Sequence, residues 1–336
     1  MSGETTTMAK VENFKTSNKG YELHCEYRNF PITFVNALRR ILLSGIPTVV
    51  PADIQVLENT SQLPHEMIKH RVEMLPININ PDDSAGIRDS KIELRMTINK
   101  EDKDVKIITT DDFVIESSRP TLIMKDRDFD KPILFMRLHP GESIHLKARL
   151  ALQTENVHRV CDVGTYWVPD PERVKQAEKE WKEAGKDIRE FHNFYYQQCY
   201  SRYEDETQPN FGRPNLFGMN IESYGGLDAK ELLKYAVTVL RKNIKKYEKE
   251  ALENITREKE EHSYSVSLKQ GGNTIGALMQ EVMYGDMNVD FVSYDIPHLL
   301  LPTMVIRFYT KKTPESILKT AVESIEEYCS LVEKAI

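Results

Sequence analysis

A run of apolar residues at helical spacing constrains this chain more than any other feature. Leu233, Ala236, Leu240, Ile244, Tyr247, Ala251 and Ile255 follow one another at intervals of 3, 4, 4, 3, 4 and 4. That rhythm puts them on one side of a helix expected from about Leu227 to Glu258, roughly 45 Å long at 1.5 Å per residue. Such a helix cannot bury its own seam, so a second helix must lie along it, in the chain or in another subunit. The opposite face, with Lys242, Lys245, Lys246, Glu248 and Lys249, is most simply solvated. A partner stripe stands near the C-terminus. Thr313-Pro314 reads as an N-cap with proline at the first helical position, and Leu318, Ala321, Ile325, Tyr328 and Val332 follow.

A shorter amphipathic helix is expected around Asn36–Pro47, with Phe34, Val35, Ala37, Leu38, Ile41, Leu42 and Leu43 apolar and Gly45 and Pro47 as stop signals. Its start is open: Pro31 fits the first turn, and Thr33 fits a cap. Arg39 and Arg40 are adjacent, hence about 100° apart around the axis. An alternating strand, Tyr21, Leu23, Cys25 and Tyr27, precedes it, and residues 1 to 12 read as polar and loose. The pattern returns after His262, with Tyr264, Val266 and Leu268 alternating and Thr274 as a cap for a helix through Met283. Without gaps, Thr33 then stands against Thr274, and Ile41-Leu42 against Val282-Met283. Two half-units, each strand, helix, strand and long helix, can bury their seams on each other as a dimer does.

Between the copies the character changes. Short strand-like runs at 54–58, 92–98, 107, 113–115, 133–138 and 144–152 are separated by Pro, Asp and Gly. A short helix within 63–77 carries His65, His70 and Arg71; the two histidines, five apart, make a poor metal pair. Pro169 to Tyr203 is charge-dense and helical, then rich in aromatics: Phe191, Phe194, Tyr195, Tyr196, Tyr200 and Tyr203. Few basic residues accompany these rings and Glu204, Asp205 and Glu206 follow, which favours packing over stacking on bases.

Composition narrows the class. With 336 residues, 40% hydrophobic and 29% charged, the chain has material for about two globular domains. A net charge of −7 leaves nucleic acid contact to local patches. Cys25, Cys161, Cys199 and Cys329 are scattered without a CxxC pair, so neither a zinc site nor a disulfide framework is expected. No apolar run is long enough to span a bilayer, and an intracellular, soluble protein is expected. No Asp-rich metal loop, phosphate-cradling glycine loop or nucleophile–base pair is visible; an enzyme would need His139, Glu142 and His145 to converge.

The stretch NALRRILLSGIPTVV, followed by IQVLENTSQLPHEMIKHRVEMLPI with His70, Arg71, Leu75 and Pro76, resembles the alpha subunit of cellular RNA polymerases, in its eukaryotic third-largest and archaeal D versions. Residues 216–240 are similar to that family's return to its dimerisation domain. Residues 263–334 resemble the small partner, the eleventh eukaryotic or archaeal L subunit, through NTIGALMQEVM, the signature Tyr294, Asp295, Pro297, His298, and TPESILKTAVESIEEY. The chain departs from these patterns in three places. The zinc or cluster cysteines are missing, Ala277 and Gln280 replace the small partner's Asn and Arg, and Leu299, Leu300 and Leu301 replace a polar loop. Fusion of both partners looks like the arrangement of large DNA viruses that encode their own polymerase.

The resemblance implies an α+β fold: a first dimerisation domain from 1–52 and 211–260, a β-rich insert from 53–210, and a second dimerisation domain from 261–336. It implies a non-catalytic assembly platform joining the two large catalytic subunits, with small adaptor subunits nearby, no metal or cofactor, no sequence-specific nucleic acid contact, no membrane, and one chain per complex. The expected location is host cytoplasm or nucleus, or the virion. Asn36, Arg39, Arg40, His70 and Arg71 are expected at the large-subunit interface. Leu38, Leu42, Leu233, Leu240, Ile244, Ala321 and Ile325 are expected in the pseudodimer core. The competing class is a nucleic-acid-binding transcription factor using Lys242–Lys249 and the tyrosine cluster.

Overall fold

Strand and helix alternate along the chain in the computed structural model, which describes residues 8–117, 122–154, 160–206, 210–224, 226–269, 272–298, 300–301 and 303–336. Strands β1 (Lys10–Ser17) and β2 (Glu22–Arg28) lead into helix α1 (Ile32–Ser44). Next come β3 (Thr48–Asn59), α2 (His65–Glu73), α3 (Ser84–Asp89), β4 (Lys91–Thr97) and β5 (Lys106–Thr109). Strands β6 (Val114–Glu116), β7 (Leu134–Leu138), β8 (Ser143–Gln153) and β9 (Cys161–Trp167) follow. Helices α4 (Pro171–Glu183) and α5 (Ile188–Gln198) precede β10 (Leu216–Ser223) and the long α6 (Ala229–Glu253). The chain ends with β11 (Ile255–Arg257), β12 (Ser263–Leu268), α7 (Asn273–Tyr284), β13 (Val289–Asp295), β14 (Met304–Thr310) and α8 (Pro314–Ala335).

One unit holds residues 1–42, 163–221 and 229–336. It contains two four-stranded sheets ordered β1-β2-β10-β9 and β11-β12-β14-β13. Matched by position, β1 corresponds to β11, β2 to β12, α1 to α7, β9 to β13, β10 to β14 and α6 to α8. Each copy is therefore ββαββα, longer by two strands than the strand, helix, strand, long helix expected for the first. The added strands are β1 and β9, both at the edge of their sheet. Instead of a loose segment, β1 is a strand from Lys10. A register break between Glu12 and Lys15, with Asn13 at φ 51°, interrupts its alternation.

Helix α1 begins at Ile32, between the two starts that the sequence leaves open. Pro31 carbonyl accepts from Phe34 and Val35 N–H, so Pro31 stands just outside the helix and Thr33 lies within its first turn. Phe34, Val35, Ala37, Leu38, Ile41 and Leu42 are buried, whereas Leu43 is half-buried. Helix α6 is shorter at both ends than expected, and Ile255 belongs to β11, which pairs with Val266 of β12. Thr274 does not cap α7; Gly272 occupies the N-cap without a side-chain bond. Thr313 does occupy the N-cap of α8, with Pro314 following, but its side chain makes no cap bond.

The second unit holds residues 43–162 and 222–228. A sheet ordered β3-β8-β4-β6 and the pair β5-β7 enclose a core with Ile68 and Val72 of α2, Leu94, Ile108, Phe135 and Leu146. This unit is smaller than the insert expected over 53–210, because 163–210 group with the first unit. The cause is strand β9. Its pairing with β10 ties it to the first sheet, and α4 and α5 hang from the β9–β10 connection.

Candidate functional site

Within the first unit the two long helices pack on each other and on each other's sheets: α6 meets α8 and β12, and α8 meets α6 and β1. Leu38, Leu42, Leu233, Leu240, Ile244, Ala321 and Ile325 are all buried. Burying a leucine or isoleucine contributes about 1.5–3 kcal/mol, so these side chains are a main source of cohesion. Polar contacts fix the register of the two long helices. The Arg241 guanidinium of α6 donates to Glu326 (2.7 Å) and to Glu333 (2.7 and 3.0 Å) of α8, and Lys245 lies 3.5 Å from Glu326. The residue numbers rise on α6 as they fall on α8, so the helices run antiparallel. The face of α6 read as merely solvated thus contributes Lys245 to the seam. Tyr328 of α8 packs against Phe30 and Phe34 at 5.4 and 5.5 Å between ring centroids.

The outer side of α1 carries Asn36 and Arg40, both exposed, and Arg39, half-buried. The unequal exposure of the two arginines follows from the rotation between neighbouring helical residues. His70 and Arg71 stand on α2, in the other unit, and are exposed. They share their face with two exposed methionines, Met67 (51%) and Met74 (54%), at positions i, i+3, i+4 and i+7. That stripe combines apolar area with cationic and hydrogen-bonding groups, a composition suited to protein contact.

A groove of about 1010 Å³ lies in the first unit between the start of α1, helices α7 and α8, and chain around Tyr203 and Arg213. Inside it the Glu281 carboxylate of α7 accepts from the Thr33 backbone N–H at 3.0 Å and from the Thr33 hydroxyl. Tyr203, from the β9–β10 connection, has its phenol pushed up to about 12 by burial, with Tyr328 and Glu281 nearby adding to the shift. Sequence reasoning missed this contact because Thr33 and Glu281 are 248 positions apart.

Other candidate chemistry does not assemble. Glu142 accepts from the His139 backbone N–H (2.8 Å), while the His145 ring lies 2.7 Å from Glu93. His139, Glu142 and His145 therefore do not form one catalytic cluster. The aromatic residues of α5 stack within their own hairpin: Phe194 on Trp181 (5.0 Å) and Tyr195 on Phe191 (5.8 Å), with Tyr200 on Trp167 (5.5 Å). The side chain of Tyr196 lies outside the description. Among the described residues no group of three or more His, Cys, Asp or Glu is placed to hold a metal, and no helix is long and apolar enough to cross a membrane. All four cysteines are buried and outside any disulfide. Leu300 and Leu301 are exposed, and Leu299 lies outside the described residues.

Two family profiles, both described as the RNA polymerase Rpb3/Rpb11 dimerisation domain, match residues 25–244 and 263–335. The chain is 23% identical over 262 residues to the DNA-directed RNA polymerase subunit Rpo3 of Pyrococcus furiosus, covering 71% of this chain and 97% of that protein. It is 26% identical over 156 residues to the Rpo3 subunit of Aeropyrum pernix, covering 42% of this chain and 50% of that protein. It is 40% identical over 73 residues to the DNA-directed RNA polymerases I and III subunit rpac1 of Dictyostelium discoideum, covering 21% of each. The chain thus spans half or less of the length of the latter two relatives. Each profile match covers most of one ββαββα copy, the first from within β2 with the second unit inside its span and the second from the start of β12, and the chain belongs to the RNA polymerase Rpb3/Rpb11 dimerisation-domain family.

Proposed function

We propose that the chain is the alpha-like assembly platform of a multisubunit DNA-directed RNA polymerase, with both halves of the platform in one polypeptide. The observation that carries this reading is the reciprocal packing of α6 and α8, each helix lying against the sheet of the opposite copy. In this reading Leu38, Leu42, Leu233, Leu240, Ile244, Ala321 and Ile325 are the intramolecular counterpart of a dimer interface. Asn36, Arg39 and Arg40 on α1, with His70 and Arg71 on α2, meet the two large catalytic subunits, and small adaptor subunits dock nearby. Joining both halves in one chain is the arrangement of large DNA viruses, and this protein is read as one of that kind. The chain performs no chemical step; it holds the subunits that do.

Arg40 is the sharpest point of contact, because an exposed guanidinium gives a carboxylate or carbonyl pair two hydrogen bonds in a fixed plane. The isolated chain should scatter light as a single copy. Arg40→Ala should leave the melting temperature nearly unchanged and weaken recovery of the second-largest subunit in a pull-down by about 2 kcal/mol or more of binding energy. A stable homodimer would sink the intramolecular reading. Loss of folding with normal assembly of the surviving fraction would make Arg40 structural.

A further inference from the structure

The contact between Glu281 and Thr33 runs one way. The first N–H groups of a helix have no partner inside it and lie at the positive end of its dipole, so a carboxylate there is doubly favourable. Glu281 of the second copy supplies one to α1 of the first, taking both the backbone N–H and the hydroxyl of Thr33. The register that sets Thr33 against Thr274 sets Arg40 against Glu281, since each lies seven residues further on. The first copy therefore has a cation where the second has an anion. An arginine accepts no hydrogen bond and is repelled by a positive helix end. Consistently, α7 starts at Gly272 with no side-chain cap, and Arg40 is exposed.

The surroundings reinforce the asymmetry. Tyr203 belongs to the long β9–β10 connection, which in the second copy is the short 296–303 loop. That segment is anchored by Tyr203 N–H to Arg213 carbonyl and Gly212 N–H to Tyr203 carbonyl, both 3.0 Å. The anchored tyrosine lines the groove with Glu281 and Tyr328.

We propose that Glu281 is a positioning residue that makes the pairing of the two copies directional. It caps α1 from the second copy, and among the described residues no side chain caps α7 in return. A pairing of the first copy with another first copy would set Arg40 in the place of Glu281, against an uncapped helix start, so the same pair of positions disfavours that alternative. This rests on the intramolecular pairing proposed above and names the residue that orients it.

Hydrogen exchange on the full chain, with light scattering on the same samples, tests the proposal. Glu281→Ala should speed exchange of the first-turn amides of α1 about tenfold, the loss of one charge-assisted hydrogen bond, and leave the first turn of α7 unchanged. Thr33→Val added to Glu281→Ala should bring little further change. Arg40→Glu, which installs the missing carboxylate, should slow exchange at the first turn of α7. Should Glu281→Ala fail to fold, Glu281→Gln, of equal size, is read by the same amides. Unchanged α1 exchange in a sample of single-chain mass overturns the directional cap alone, and equal loosening of α7 by Arg40→Ala overturns its one-way character. A doubled mass in the unaltered chain overturns the pairing reading instead.

Discussion

The first copy (β1, β2, α1, β9, β10, α6) and the second (β11, β12, α7, β13, β14, α8) follow one path, yet only the first is interrupted at length. Between α1 and β9, where the second copy has residues 285–288, it carries nearly all of the second unit, whose remaining residues 222–228 follow at the end of β10. Between β9 and β10 it carries the α4–α5 hairpin, where the second copy has residues 296–303. Both interruptions fall between elements, the first after helix α1 and the second after β9, and the sheet orders remain identical. What the copies hold in common is the part that must be buried on both sides, the sheets and the α6–α8 seam. What they do not share includes these interruptions and three matched helix positions, Asn36, Arg39 and Arg40 against Ala277, Gln280 and Glu281.

That division can be broken experimentally, and the largest effects belong to the shared part. Leu240→Ala and Ile325→Ala, one on each side of the seam, should each cost about 2–5 kcal/mol in chemical denaturation. Both copies should then lose structure in one transition, since each helix covers the other copy's sheet. Separate melting of 263–335 would mean that the copies are independent. Arg241→Ala should cost about 1.5–3 kcal/mol, because it leaves the half-buried Glu326 and Glu333 carboxylates without their guanidinium. A loss no larger than that of Lys242→Ala would show the ion pairs to be incidental.

Smaller effects concern groups buried in their neutral form. The Cys25 thiol is pushed up to about 11 and the Cys329 thiol to about 12, both by burial. A raised folded value stabilises the native state fully below the unfolded value near 9.0, and that contribution fades as pH climbs toward 11 and 12. Stability should therefore fall between about pH 9 and 12, and native thiols should label slowly at pH 8. Rapid labelling of all four in folded protein would contradict the burial. Tyr247, on the seam, has a buried hydroxyl without a hydrogen-bond partner among the described residues. Tyr247→Phe should be neutral or stabilise by up to about 1 kcal/mol; a clear loss would reveal a hidden partner.

How much of this was readable in the sequence follows from what each element buries. The seams of α6 and α8, helix α1 and strand β2 each bury one face, so their spacing announced them. Strands β1 and β9 did not. The first is an irregular edge with mostly polar residues, and the second ends in exposed Tyr166 and Trp167 after Gly164. Missing them hid the full correspondence of the copies and moved the insert boundary from 162 to 210. The seam residues were legible because burial follows periodicity. The Thr33–Glu281 contact was not, because single polar contacts between distant positions leave no rhythm. For the outward residues, exposure is a structural observation, and their role rests on resemblance.

The junction between the copies has a consequence for how such an assembly is made. Helix α6 ends at Glu253 and β11 begins at Ile255, so a single residue, Asn254, separates the last helix of one copy from the first strand of the other. Two separate polypeptides must meet at a rate set by their concentrations and be produced in equal amounts. Here the encounter is first order, the ratio is one to one by translation, and dilution cannot separate the halves. Pairing of this kind needs no encounter between two separately translated chains.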